Sequence, residues 1–301
     1  MTLRDARSDL EATFFPGAGM LCSSLRHRGD ELLWQAGDVA AYARDGKTTG
    51  VPLLYPWANR LADFDYKVAG KTIALPRDGS RVALDARGLP IHGAIAGHMA
   101  WNVVSPVDRG DSALTAQMTW SDAQPELFEL FPFQHDVEYA LTVGAHRLDL
   151  SITVRATGSD PVPLAFGFHP YLTLPGIPRE QWTIELPAMR RLILDEQQIP
   201  RERGEPLQGG RFTLATRTFD DGFEAVSPTA RFAADAGRRL EVLFLDGYSC
   251  AQVFAPPGSQ FICFEPMTAP ANALRSGQGL RLLAPDDQFR ARFAIRVSGA
   301  A

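Results

Sequence analysis

Apolar and polar residues alternate in short runs along much of this chain. In residues 147–155, Leu148, Leu150, Ile152 and Val154 share one face, and Asp149, Ser151 and Thr153 share the other. Residues 289–297 repeat the pattern with Arg290, Arg292 and Arg296 on one side, and residues 240–245 form a third apolar run. Period-two alternation suits strands with one face on a core and the other in water. The 22 prolines and 26 glycines are spread over the whole length and punctuate these runs. Helical periodicity is scarce. Residues 122–130 predict a short helix with Pro125 in its first turn, and residues 177–181 predict another turn. The expected fold is all-β, a mainly antiparallel sandwich or barrel of many strands with a few short helices. No internal repeat or low-complexity linker divides the chain. Residues 201–210 predict a polar surface loop, and residues 1–301 are expected to form one domain.

Composition narrows the function. Hydrophobic residues make up 45% and charged residues 22%, so this chain can bury a core without a disulfide or a metal. A net charge of -5 with no dense Lys/Arg run argues against nucleic acid or an anionic membrane as partner. A small neutral ligand fits better. The three cysteines, Cys22, Cys250 and Cys263, lack the spacing of a disulfide framework or a zinc site and read as small buried hydrophobes. The N-terminus has no signal-peptide core, and no apolar stretch approaches the ~20 residues that span a bilayer. A soluble, cytoplasmic monomer or homodimer is expected.

Four segments offer chemistry. Tyr55-Pro56-Trp57-Ala58-Asn59-Arg60 sets aromatics and a proline before an Asn-Arg pair. An arginine fork donates two parallel hydrogen bonds to a carboxylate or to vicinal hydroxyls. Ile91-His92-Gly93 follows a histidine with a glycine, which permits close backbone approach or a positive φ. Phe166-Gly167-Phe168-His169-Pro170-Tyr171 surrounds one histidine with apolar residues, the setting of a fixed proton donor or acceptor. Phe261-Ile262-Cys263-Phe264-Glu265 ends an apolar strand in a carboxylate, whose pKa burial would raise. Each segment also has a plain structural reading: a surface arginine beside a turn, a histidine in a turn, a satisfied core histidine, a glutamate facing water. Asp246, in Leu245-Asp246-Gly247, is a fifth candidate and equally a hairpin residue, since Asp-Gly is a strong turn signal. His92 and His98 lack a metal-ligand pattern, so no metal site is expected.

Taken together and in order, Pro56-Trp57-Ala58-Asn59-Arg60, Ile91-His92-Gly93, Phe166 to Tyr171 and Glu265-Pro266-Met267-Thr268-Ala269-Pro270 resemble the motifs of the aldose 1-epimerase (galactose mutarotase) family. Residues 65–75 resemble the family's short hairpin, and the resemblance runs from about Phe14 to the C-terminal strand. It implies a large antiparallel β-sandwich, the galactose mutarotase-like supersandwich. It implies that His169 is the general acid and Glu265 the general base. Asn59, Arg60 and His92 would hold sugar hydroxyls, with Tyr171 a further contact. Asp246 would be the sugar-binding aspartate on a strand before the glutamate.

The implied activity interconverts the α and β anomers of an aldohexose such as galactose. Glu265 would take the C1 hydroxyl proton while His169 gives one to the ring oxygen. The opened aldehyde rotates about C1–C2 and the ring closes. No redox step or group transfer occurs, so no cofactor is expected. Trp57 or a phenylalanine would stack on the sugar's apolar face. Two alternatives remain. The same scaffold could act on a hexose 6-phosphate, with Arg77, Arg81 and Arg87 supplying the phosphate pocket, or it could bind carbohydrate without catalysis. A glycosidase would need two carboxylates flanking one bond, and the motifs supply one.

Overall fold

The computed structural model describes residues 1–35, 37–105 and 112–299. Two large antiparallel sheets make up most of it. The first holds nine strands, in the order Asn102–Val103, Ala113–Trp120, His135–Gly144, Arg147–Ala156, Gln288–Gly299, Arg238–Asp246, Arg231–Asp235, Thr183–Leu186 and Gly210–Thr213. The three alternating runs of the sequence are thus adjacent strands at its centre. Leu148, Leu150, Ile152 and Val154 turn inward and are buried with Phe293, Ile295 and Val297, while the polar residues between them face outward.

The second sheet holds eight strands. Its path runs Pro200–Leu207, Met189–Leu194, Phe219–Glu224, Cys250–Ala255, Ile262–Met267, Gly167–Phe168 and Leu53–Leu54, and Tyr171–Leu172 also pairs with Ile262–Met267. The inner faces of the two sheets meet in one hydrophobic core. Phe168 and Phe293 lie across the layers with ring centroids 4.9 Å apart, and Phe232 and Phe264 with centroids 5.5 Å apart. The hairpin of Asp65–Val68 and Lys71–Ala74 appears where the sequence suggested it. A second hairpin, Val82–Leu84 with Pro90–Ala94, carries His92.

Helices are short. Pro125–Phe128 lies inside the expected segment with its proline first, and Arg179–Gln181 forms the expected turn. Val39–Asp45 was not expected. Asp38 caps it by accepting from the Ala41 amide at 2.6 Å, and Gly46 ends it with φ +69°. Residues 201–210 are not the predicted loop. Pro200–Leu207 is an edge strand of the eight-stranded sheet, paired to Met189–Leu194 with register shifts. Its charges and prolines are what an unprotected edge uses to avoid pairing with another chain. All three cysteines are free and buried. Among the described residues, no helix is long and apolar enough to cross a membrane.

Candidate active site

Every residue of strand Ile262–Met267 is buried. Ile262 and Phe264 belong to the sandwich core, so Cys263, Glu265 and Met267 face the opposite side. The neighbouring strand sets Gln252 opposite Glu265 and Phe254 opposite Cys263. One strand further, Asp220 lies opposite Phe254 and Gly222 opposite Gln252. On the other flank Gly167 pairs with Met267 and Tyr171 with Cys263, which puts Gly167, His169 and Tyr171 on the same face as Glu265. Gly167 has to be small, because a Cβ there would stand 2.6 Å from the Pro266 carbonyl oxygen. Strand register alone therefore gathers Asp220, Gln252, Glu265 and His169 on one patch.

His169 Nε2 lies 3.2 Å from Glu265 Oε1, with both side chains almost fully enclosed. The imidazole is held on three sides. It stacks on Tyr171 with centroids 4.4 Å apart, meets the His92 ring edge-on at 5.6 Å, and meets Phe254 at 5.8 Å. The Tyr171 hydroxyl is fixed in turn by Thr48 Oγ1 at 2.6 Å. Burial pushes the Glu265 carboxyl well above its usual range, the Asp220 charge adds to this, and Arg60 opposes it. Burial pushes His169 down to about 3, with Arg60 contributing in the same direction. His92 is held well below its ordinary value by burial, His169 and Arg60. Burial thus favours the neutral form of both groups. Glu265 Oε2, His169 Nδ1 and His92 Nδ1 are buried without a hydrogen-bond partner among the described residues. Three such atoms in one patch are costly unless a polar ligand satisfies them.

Arg60 follows, and His92 occupies, a backbone position of unusual conformation. Asn59 has φ +59° and His92 φ +65°, both in the left-handed region that non-glycine residues rarely adopt. The His92 amide donates to the Asn59 carbonyl at 3.0 Å, which ties the Asn59 segment to the strand that carries His92. The Arg60 guanidinium donates through Nε to Asp85 Oδ2 at 2.7 Å and through Nη1 to Asn59 Oδ1 at 3.3 Å. Asp85 Oδ1 accepts from the Arg87 and Leu89 amides at 2.8 and 2.9 Å. Burial works to raise Asp85, but these amides and Arg60 hold it below the usual carboxylate range. Asn272 braces the Arg60 main chain, its amide donating to the Arg60 carbonyl at 2.8 Å.

A family model for aldose 1-epimerase matches residues 14–296. The chain belongs to the aldose 1-epimerase family. That membership makes it an isomerase. Over 258 residues it is 26% identical to the protein YihR of Escherichia coli strain K12, covering 81% of this chain and 77% of that one. Its fold is similar to that of Slr1438 from Synechocystis sp. PCC 6803, at 23% identity and TM-score 0.78, over 100% of this chain and 96% of that one. A galactose mutarotase-like protein of Clostridium acetobutylicum gives TM-score 0.82 at 17% identity, over 97% and 94% of the two chains. A galactose 1-epimerase of Lactobacillus acidophilus NCFM gives 0.73 at 15%, over 100% and 94%.

Within this epimerase-family fold, His169, Glu265, His92, Arg60, Asn59 and Tyr171 come together. Asp246 does not join them. It is exposed at the end of a strand in the nine-stranded sheet, opposite Arg292, where the following Gly247 turns with φ +76°. The Asp-Gly pair serves the turn. The aspartate on the site's face is Asp220, whose Oδ1 accepts from Gln252 Nε2 at 2.7 Å. Trp57 is also elsewhere, in the main core against Tyr66. Phe254 is the aromatic residue beside His169. Arg77 and Arg81 are engaged with Asp63 and Glu129 at 3.4 and 2.7 Å.

Proposed function

We propose that this protein is a mutarotase for a neutral aldohexose, with Glu265 and His169 as the proton-transfer pair. The observation that carries this is the buried 3.2 Å contact between His169 Nε2 and Glu265 Oε1, with an unpartnered atom left on each group. Anomer exchange needs a proton taken from the C1 hydroxyl and one given to the ring oxygen. A pair that shares a single proton supplies a base and an acid at once. Burial favours the neutral form, and transfer across the contact gives the carboxylate–imidazolium form. In that form Glu265 takes the C1 proton and His169 protonates the ring oxygen. C1–C2 rotation and ring closure reverse both transfers and restore the pair. Each positioned group is expected to contribute ~10²–10⁴-fold.

Asn59, Arg60, His92 and Asp220 would hold the hydroxyls that do not react, and Phe254 would cover an apolar face of the sugar. Asp220 takes the role that sequence reasoning assigned to Asp246. A neutral sugar is favoured over a hexose 6-phosphate because the Arg60 guanidinium is already paired with Asp85, and because Arg77 and Arg81 already have carboxylate partners. Catalysis is favoured over binding alone because a binder has no use for a buried acid–base pair.

Polarimetry on freshly dissolved α-glucose and α-galactose tests the proposal. Wild type should speed equilibration, while His169→Ala and Glu265→Gln should lose at least ~10²-fold. Normal turnover by either variant would remove that residue from the chemistry. Sugar affinity without any rate enhancement would establish the binder instead.

A further inference from the structure

The outer face of the nine-stranded sheet carries a second feature, on the layer opposite Glu265 and His169. Its central strand, Gln288–Gly299, lies between Arg147–Ala156 and Arg238–Asp246 and presents Arg290, Arg292 and Arg296 outward. Arg296 is paired, its Nε donating at 2.6 Å to buried Glu241, which also faces Arg231 and Arg239. Arg147 is paired with Asp149 at 2.7 Å. Among the described residues, Arg290 donates only to a neutral group, the Ser151 hydroxyl, at 3.0 Å. Arg292 has no hydrogen bond or ion pair among the described residues, and its Nε is buried without a partner. Asp246 is its partner in strand register but forms no ion pair with it.

Residues two apart on a strand stand side by side, about 7 Å apart. Two neighbouring guanidiniums therefore share one face, and neither forms an ion pair among the described residues, although Arg290 also borders an adjoining cleft that holds Asp136 and Glu138. They line a cleft of about 240 Å³ together with Thr142, Arg147, Ser151 and Leu245. Asp149 is its single carboxylate, set against three arginines, so the lining carries two surplus positive charges in a chain of net charge -5.

We propose that this cleft binds a small tetrahedral oxyanion, either inorganic phosphate or the phosphoryl group of a phosphomonoester, between Arg290 and Arg292. Guanidinium forks match the oxygens of such an anion two at a time. The Ser151 and Thr142 hydroxyls add neutral donors, and the buried Arg292 Nε gains the acceptor it lacks. The site is independent of the sugar site and of its chemistry.

Calorimetric titration of the full chain with inorganic phosphate and with glycerol phosphate, at constant ionic strength in chloride, tests this. Wild type should show one saturable site. Arg292→Met should weaken it by roughly tenfold or more, the loss of a charge-assisted hydrogen bond, with mutarotation unchanged. Glu265→Gln should bind the anion as wild type does. Tighter binding of glycerol phosphate would assign the site to a phosphomonoester, and tighter binding of phosphate to the free ion. No saturable binding of either, or equal binding by wild type, Arg290→Met and Arg292→Met, would overturn the proposal.

Discussion

Replacing Asp85 with alanine removes three hydrogen bonds at once: one from Arg60 Nε, and one each from the amides of Arg87 and Leu89. The Arg60 and Asp85 side chains are only 14% and 5% exposed. The change therefore leaves a guanidinium largely shielded from water without its carboxylate, and loosens the turn that leads into His92. Removing one partner of a fully buried pair costs about 3–5 kcal/mol. Because some solvent reaches Arg60, ~3 kcal/mol is the expected loss. In a chain of this length each kcal/mol lowers Tm by roughly 2 °C, so the midpoint should fall by roughly 6 °C. Asp85→Asn keeps an acceptor for the two amides and should lose less. Both variants should raise KM more than they lower kcat, since in the proposed mechanism Arg60 orients the sugar and transfers no proton. Urea unfolding followed by circular dichroism gives the stability, and initial-rate polarimetry gives the kinetic split. An alanine variant within ~0.5 kcal/mol of wild type with an unchanged KM would refute the role given to this ion pair.

In the proposed mechanism, activity needs one proton on the Glu265–His169 pair. A second proton arrives only as pH falls through the depressed His169 value, about 3, and the single proton leaves only as pH rises through the elevated Glu265 value. The kcat/KM profile should be flat between these limits, which belong to the pair as a whole. Asp220→Asn removes a charge that raises Glu265, so the alkaline limb should move to lower pH; a limb that stays put or rises would contradict this. Gly93→Ala would place a Cβ 2.2 Å from the Tyr55 carbonyl oxygen at φ +79°. Left-handed strain alone costs about 1–2 kcal/mol, so with the clash a loss of at least ~4 kcal/mol should appear in urea unfolding. Asp246→Asn should leave both kinetic constants unchanged, and a raised KM would return Asp246 to the site.

Where alternation was clean, the sequence was a good guide. Leu148 to Val154 and Phe289 to Val297 show period two because one face meets a core and the other meets water. The edge strand Pro200–Leu207 shows no such signal, since almost all of it is exposed. His169 and Glu265 stood out as polar residues embedded in apolar runs, and such positions survive only where burial serves something. Asp220 gave the opposite impression. In Asp220-Asp221-Gly222 the Asp-Gly pair reads as a turn, yet it lies inside strand Phe219–Glu224. A Cβ on Gly222 would stand 3.3 Å from Gln252 Oε1, so the glycine answers to a neighbouring strand rather than to a turn. At Asp246-Gly247 the same dipeptide does turn, and a Cβ on Gly247 would meet the Arg290 carbonyl oxygen at 2.6 Å. Only the strand pairing separates the two cases. Asp85 was equally silent, because its role depends on Arg60, a partner 25 residues away in the chain.

The most direct measurement is magnetisation exchange between the α and β anomeric protons of glucose or galactose at equilibrium. Wild-type protein should produce exchange cross-peaks that scale with enzyme concentration, and Glu265→Gln should produce none above the spontaneous rate. Absence of exchange with wild type on either neutral hexose, or equal exchange with the variant, would contradict the assignment of this buried pair to anomer interconversion.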